Sequence, residues 1–110
     1  MKLPNAELAI VDIEKLRDYC LSTSHPRGRH KARVFESALG ITDSDAEELR
    51  QELLNAAHTQ HATATVQDEY GQRFVLDFSL KRGSREALVR SSWIIRAGEK
   101  EPRLATCYVV

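Results

Sequence analysis

The sequence has little of what usually announces a function. Only two cysteines occur, Cys20 and Cys107, far apart and outside any CxxC or Cys/His spacing. That argues against a zinc framework or a disulfide-stapled scaffold and predicts two reduced core thiols in a cytosolic protein. No P-loop, GxGxxG, GxSxG or HExxH pattern is present, which removes the common phosphate cradles, the nucleophile elbow and the zincin helix. Neither sign of charge is in excess: sixteen cations balance sixteen acids, so net charge exerts no pull toward nucleic acid or membrane. No segment approaches the ~18 apolar residues that span a bilayer. Met1-Lys2-Leu3-Pro4-Asn5 lacks the apolar run of a Sec-type signal. The expected address is therefore the cytoplasm, with no membrane partner; delivery by a specialised secretion system stays open.

What is present is a chain of 110 residues, 42% apolar and 29% charged. Those values predict one soluble domain, residues 1–110, with a single core. The charges are unevenly placed. His25-Pro26-Arg27-Gly28-Arg29-His30-Lys31-Ala32-Arg33 holds two histidines and the cations Arg27, Arg29, Lys31 and Arg33 with no acid. Residues 43–52 hold Asp43, Asp45, Glu47, Glu48 and Glu52 against Arg50 alone. A neutral chain with such a basic turn can bind a polyanion locally.

Helical periodicity comes first. Residues 1–11 read as an arm, with Leu8 to Val11 able to lie along the core. Asp12 can cap a helix from Ile13 to Leu21, with Ile13, Leu16 and Cys20 on one face. His25 precedes proline and is biased toward extended backbone; Gly28 permits a tight turn. A second helix runs from Arg29 to Gly40, with Val34, Phe35, Ala38 and Leu39 apolar and Gly40 suited to the C′ position. Lys31, one turn before Phe35, projects at the rim of the core. Thr42-Asp43-Ser44 opens a third helix that runs to Ala57, with Ser44 and Glu47 spaced as a capping box. The acids of its first turns complement the positive helix end.

After His58 the period shortens to two. Strands are predicted over Thr63–Tyr70, Arg73–Lys81, Glu86–Arg96 and Leu104–Val110, with turns at Tyr70-Gly71 and Arg82-Gly83-Ser84 and a loop closing at Pro102. Short connections favour antiparallel neighbours. The fold class is α+β: about three N-terminal helices packed on one face of a four-stranded antiparallel sheet.

Alternation along the strands suggests what the uncovered face carries. With Phe74, Leu76, Phe78 and Leu80 turned to the helices, Asp77 and Ser79 lie on the other side, and Arg90 and Ser92 can join them. On the last strand Leu104, Thr106 and Tyr108 fall together, opposite Ala105, Cys107 and Val109. A face holding Asp, Arg, Ser, Thr and Tyr suits a phosphate, through cations for charge and hydroxyls for directed hydrogen bonds; it also reads as an ordinary solvated sheet. Trp93 falls at a core phase. His58 and His61, at i, i+3, lack a third ligand, so neither a metal nor another cofactor is expected. Arg103 reads equally as a surface ion pair with Glu99 or Glu101.

Five segments carry a resemblance: His25-Pro26-x-Gly28-x-x-Lys31-Ala32-x-x-Phe35; Leu39-Gly40; Asp68-x-Tyr70-Gly71-x-Arg73; Ser92-Trp93-Ile94-x-Arg96; and Pro102-Arg103-Leu104-x-Thr106-x-Tyr108-Val109. The pattern resembles a bacterial domain family of unknown function. That family is found alone beside a small companion gene and as a C-terminal module of phage-head-type and polymorphic-toxin polypeptides. Its layout is similar to that of the barnase/colicin/RelE-like ribonucleases. The resemblance implies metal-independent cleavage, in which a general base takes the ribose 2′-OH proton, the oxygen attacks phosphorus and an acid protonates the leaving 5′-oxygen. The implied catalytic set is His25, Lys31, Arg103, Thr106 and Tyr108, with Arg27, Arg29, Arg90, Ser92 and Arg96 binding substrate. His25 serves as base or acid, and Tyr108 is an alternative acid. His25 reads equally as turn chemistry beside Pro26. The paired Glu and His of that ribonuclease group has no counterpart on these strands.

Two functions compete. One is a toxin-like ribonuclease restrained by a small cognate antitoxin or companion protein, with RNA as substrate. The other is a non-catalytic interaction module of antitoxin or immunity type, or an inactive nuclease relative, which neutrality and the missing Glu/His pair favour. A homodimer is compatible with either.

Overall fold

The computed structural model describes every residue from Met1 to Val110. Helix α1 is α-helical over Ile13–Lys15 and continues as a π turn over Leu16–Cys20. Helix α2 is Arg29–Leu39 and α3 is Ala46–Thr59, preceded by a 3-10 turn at Asp43–Asp45. Four strands follow: β1 Thr63–Asp68, β2 Gly71–Arg82, β3 Arg85–Arg96 and β4 Pro102–Val109. They form one antiparallel sheet in the order β1-β2-β3-β4. The three helices and the four-stranded sheet make the expected α+β fold. No helix is long and apolar enough to cross a membrane.

The core lies between helices and sheet. Leu16, Cys20, Phe35, Leu39, Leu49 and Leu53 meet Leu76, Leu80, Val89 and Trp93 there. Phe74, Leu76, Phe78 and Leu80 all face inward, as their alternation requires. Trp93 is fully enclosed, and its indole N–H donates to Ser91 Oγ at 2.9 Å. Ser91 in turn donates to the Leu76 carbonyl at 2.7 Å. The one buried polar side chain thus satisfies the indole at no cost in unpaired groups. Val34, expected among the apolar positions of α2, is instead exposed; Ala32 takes the buried place with Phe35 and Leu39.

Two local expectations are corrected. The capping box is built from Thr42 and Asp45, not Ser44 and Glu47: the Thr42 amide donates to Asp45 Oδ2 at 2.9 Å. The chain begins its helical path two residues early, as a 3-10 turn, so the cap moves with it. On β4 the pairing slips between Ser92↔Thr106 and Trp93↔Leu104, leaving Ala105 as an extra residue. This bulge reverses the alternation. Leu104 is buried beside Trp93 and does not share a face with Thr106 and Tyr108.

The two sheet edges differ. The β4 edge is covered by residues 10–20. The Ile10 amide donates to the Pro102 carbonyl at 2.9 Å, the Leu104 amide to Ile10 at 3.0 Å, and Lys15 Nζ to the Ala105 carbonyl at 3.2 Å. Strand β1, on the opposite edge, is exposed along its whole length. At the far end Arg82 fastens the β2–β3 hairpin to the helices. It pairs with Glu48 at 2.7 Å and Asp45 at 3.1 Å and donates to the Gly40 carbonyl at 2.7 Å.

Candidate functional site

The uncovered sheet face is organised by register. Asp77 on β2 stands opposite Arg90 on β3, which stands opposite Tyr108 on β4. Arg90 binds Asp77 with both prongs, Nε to Oδ1 and Nη2 to Oδ2, each at 2.9 Å. The row then crosses onto the helices: Lys31 Nζ lies 4.8 Å from the centroid of the Tyr108 ring, within cation–π range. Asp77 above all, and Tyr108 after it, hold the Arg90 guanidinium above its ordinary value. Lys31 reaches this position because α2 begins at Arg29, and the third residue of the helix turns its stem along the core toward the end of β4.

The basic bend is held by His25. Its Nδ1 accepts the Arg27 amide at 3.0 Å and the Gly28 amide at 3.2 Å, and the Arg29 amide donates to its carbonyl at 2.9 Å. A nitrogen that accepts two N–H groups carries no proton, so the ring proton of the neutral imidazole sits on Nε2. While this cap is intact the ring is a donor at Nε2. The imidazole also leans on Tyr19, with centroids 4.7 Å apart. Gly28 has an ordinary φ of −90°; it is required because a Cβ there would collide with the Tyr19 carbonyl oxygen. Arg27 and Arg29 are exposed on this bend, and neither they nor Lys31 and Arg33 enter an ion pair.

The remaining residues lie apart from the row. Ser92 is its neighbour, between Val75 and Thr106. Thr106 is less accessible than alternation suggests: its Oγ1 is enclosed and has no hydrogen-bond partner. Arg103 stands opposite Ile94, with Nε donating to Glu99 at 3.3 Å. Five residues of strand put it roughly 15 Å from Tyr108. Arg96 is exposed opposite Gly71, at the far end of β3. His58 Nδ1 pairs with the Leu54 carbonyl at 2.8 Å, inside its own helix.

Lys31, Tyr108 and Arg90 are thus brought together, with Ser92 adjacent. His25 sits at the bend that precedes Lys31, and Arg103 and Arg96 are elsewhere. The sequence reading missed the bidentate use of Asp77, which takes both faces of the Arg90 fork. The signal was available in the register: Asp77 and Arg90 are equally far from the β2–β3 turn.

A family model described as Domain of unknown function (DUF6883) matches residues 2–110. No curated protein sequence matches the chain. Among solved structures it is similar to a chain of the contact-dependent growth inhibition toxin–immunity protein complex from Klebsiella pneumoniae 342. The TM-score is 0.69 and the identity 16%, over 94% of this chain and 95% of that one. At that identity the likeness is one of fold.

Proposed function

This chain belongs to the DUF6883 family, and we propose that it is the toxin-like member of a growth-inhibition pair, a metal-independent ribonuclease restrained by a cognate partner protein. The observation that carries this reading is the Lys31–Tyr108 contact beside Arg90. It sets two cations and a phenol at one point of an uncovered face, next to a bend whose other cations are unpaired. A phosphodiester seated there meets Lys31 and Arg90 as charge, Ser92 as a hydroxyl donor and Tyr108 as the proton donor to the leaving 5′-oxygen. The proton of the attacking 2′-OH passes to solvent water, and His25, with its proton on Nε2, donates a hydrogen bond to a phosphate oxygen. Arg27 and Arg29 hold the flanking phosphates. The fold shared with a chain of a toxin–immunity complex supports a partner protein.

The test is inducible expression without a partner, read by growth and by RNA integrity. Growth arrest with RNA fragmentation, both lost in Lys31→Ala, is the expected result. Unimpaired growth with intact RNA overturns it.

Specific contacts favour the second reading, an immunity-type or otherwise non-catalytic module. Asp77 neutralises Arg90, Glu99 holds Arg103, and His25 spends one ring nitrogen on the turn. Under that reading Lys31→Ala leaves growth unchanged and the chain co-purifies with a partner.

A further inference from the structure

We propose that the open cleft between α2 and the β2–β3 hairpin is a binding site for a small sugar phosphate, with Arg33 and Arg85 as its anion clamp. The cleft has a volume of about 660 Å³ and is lined by Thr23, Arg33, Glu36, Ser37, Gly40 and Arg85, none of them hydrophobic. The helix supplies its share by spacing. Arg33, Glu36, Ser37 and Gly40 stand at i, i+3, i+4 and i+7 and so share one face. Lys31 comes two residues before Arg33, which puts it about 200° around the helix axis. The cleft therefore lies on the other side of α2 from the Lys31–Tyr108 contact.

Arg85 reaches the cleft from the first position of β3, and its approach depends on Gly40. A Cβ on Gly40 would lie 3.0 Å from Arg85 Nη1 and 3.4 Å from Arg82 Nη1. With no side chain there, both guanidiniums close on the end of α2. Arg85 Nη1 donates to the Glu36 carbonyl at 3.3 Å, and Arg82 Nη1 to the Gly40 carbonyl at 2.7 Å. The two arginines are also direct cross-strand partners, and like charges so placed cost stability. Asp45 and Glu48 neutralise Arg82. Neither Arg85 nor Arg33 enters an ion pair, although Glu36 belongs to the same wall. Two unneutralised guanidiniums thus share one hollow.

The rest of the wall selects the anion. A guanidinium carries five N–H donors in a planar fork that matches phosphate oxygens in pairs. Arg85 uses one of them on the Glu36 carbonyl and keeps the others for a ligand. The Glu36 carboxylate repels a second anionic group and accepts hydroxyls. Ser37 Oγ turns its proton to the Val34 carbonyl at 3.3 Å, which leaves its lone pairs as acceptors, and Thr23 adds a second hydroxyl. The absence of apolar and aromatic surface gives a nucleobase or an acyl chain nothing to lie on. One phosphate on a hydroxyl-rich carbon skeleton meets all of these groups.

The experiment is a titration of the ¹⁵N-labelled full chain at fixed ionic strength, followed by NMR, with ribose 5-phosphate, inorganic phosphate, ribose and adenosine 5′-monophosphate. Ribose 5-phosphate is expected to bind saturably, with the shifts centred on residues 33–40 and Arg85. Inorganic phosphate should bind several-fold more weakly, ribose should leave the spectrum unchanged, and the nucleotide should bind no more tightly than ribose 5-phosphate. Arg33 is exposed and holds no ion pair, so Arg33→Gln leaves the fold intact. It should weaken binding of ribose 5-phosphate by about 10-fold or more, as loss of a charge-assisted hydrogen bond does, and Arg85→Gln by a similar factor. Absence of saturable binding overturns the proposal, as does Arg33→Gln titrating like the parent. Equal affinity for inorganic phosphate and ribose 5-phosphate, or tighter binding of the nucleotide, overturns it too. Shifts centred on Lys31, Arg90 and Tyr108 instead would move the anion to the open sheet face and overturn it as well. Growth and RNA integrity do not enter the readout, so this inference and the proposed function fail separately.

Discussion

Lys31 and Tyr108 are 77 positions apart in the chain, yet the ammonium of one stands 4.8 Å from the ring centroid of the other. This contact is where the helical layer turns the corner onto the open face of the sheet. It joins a row that is otherwise entirely strand-borne: Asp77, Arg90 and Tyr108. Removing either member is therefore expected to act on the site more than on the fold. A double-mutant cycle of Lys31→Ala with Tyr108→Leu should give a coupling in stability of about 0.5–1 kcal/mol, the usual size of a partly exposed cation–π pair. Under the ribonuclease reading each single variant slows RNA cleavage by about 10²–10³-fold, while circular dichroism stays that of the parent.

Asp77 decides how much of Arg90 is available to an anion. Both prongs of the guanidinium are taken by its carboxylate. Asp77→Asn withdraws the charge and leaves Arg90 free to meet phosphate. Single-stranded RNA should then bind several-fold more tightly, and its salt slope should steepen by about one counterion. Filter binding from low to moderate salt measures both. An unchanged slope places the anion site away from the Asp77–Arg90–Tyr108 row.

His25 has a structural duty that can be separated from a chemical one. Its Nδ1 does the work of an N-cap oxygen, accepting amides two and three residues ahead. His25→Asn keeps an acceptor there and should restore most of the ~1 kcal/mol lost in His25→Ala, read by urea denaturation. If the imidazole also donates a proton in catalysis, His25→Asn regains stability without regaining activity. Recovery of both would leave the ring with the cap as its only role.

The sequence was legible wherever one local rule acted alone. The αL glycine ending α2, the inward alternation of β2 and the core phase of Trp93 each follow from a period or a backbone preference. It was illegible where two segments had to be compared. The bulge at Ala105 leaves no mark in β4 itself and appears only as a slip against β3. It moves Leu104 off the face that simple alternation assigns to it. The same limit applies to the site. The proximity of Lys31 to the core rim was readable from its i, i+4 relation to Phe35, but its neighbour Tyr108 was set by how α2 seats on β4. Cys20 and Cys107 look unrelated in sequence for the same reason: the seam of residues 10–20 along β4 is a tertiary feature.

Gly28 packs the bend directly against the backbone of α1. A methyl group at this position meets the Tyr19 carbonyl oxygen, which cannot rotate away as a side-chain tip would. Gly28→Ala is expected to cost about 1–3 kcal/mol, as overpacking does elsewhere. It should also disturb the His25 cap and the start of α2. Thermal melting together with amide exchange of Arg29 to Ala32 checks this. A variant as stable as its parent would mean that the bend floats free of α1.

The reduced cysteine pair gives stability a pH dependence whose sign is fixed by which thiol ionises first. Cys20 is lowered from 9.0 to about 7 in the fold, chiefly by its hydrogen bond from Cys107. Below pH 7 it is protonated in both the folded and the unfolded chain and contributes nothing. Between pH 7 and 9 the folded chain has released this proton and the unfolded chain still holds it, so stability rises with pH. Cys107 is raised in the fold, by Cys20 and by burial. Above pH 9 it ionises only in the unfolded chain, and stability falls again. In the presence of reductant, the difference in urea midpoint between the parent and Cys20→Ala should therefore widen from pH 7 to 9, by on the order of 2 kcal/mol at most. Titrating groups other than Cys107, whose own shift depends on Cys20, cancel in that difference. A gap that stays constant across the interval would mean that Cys20 is an ordinary buried thiol, with Cys107 no more than a packing neighbour.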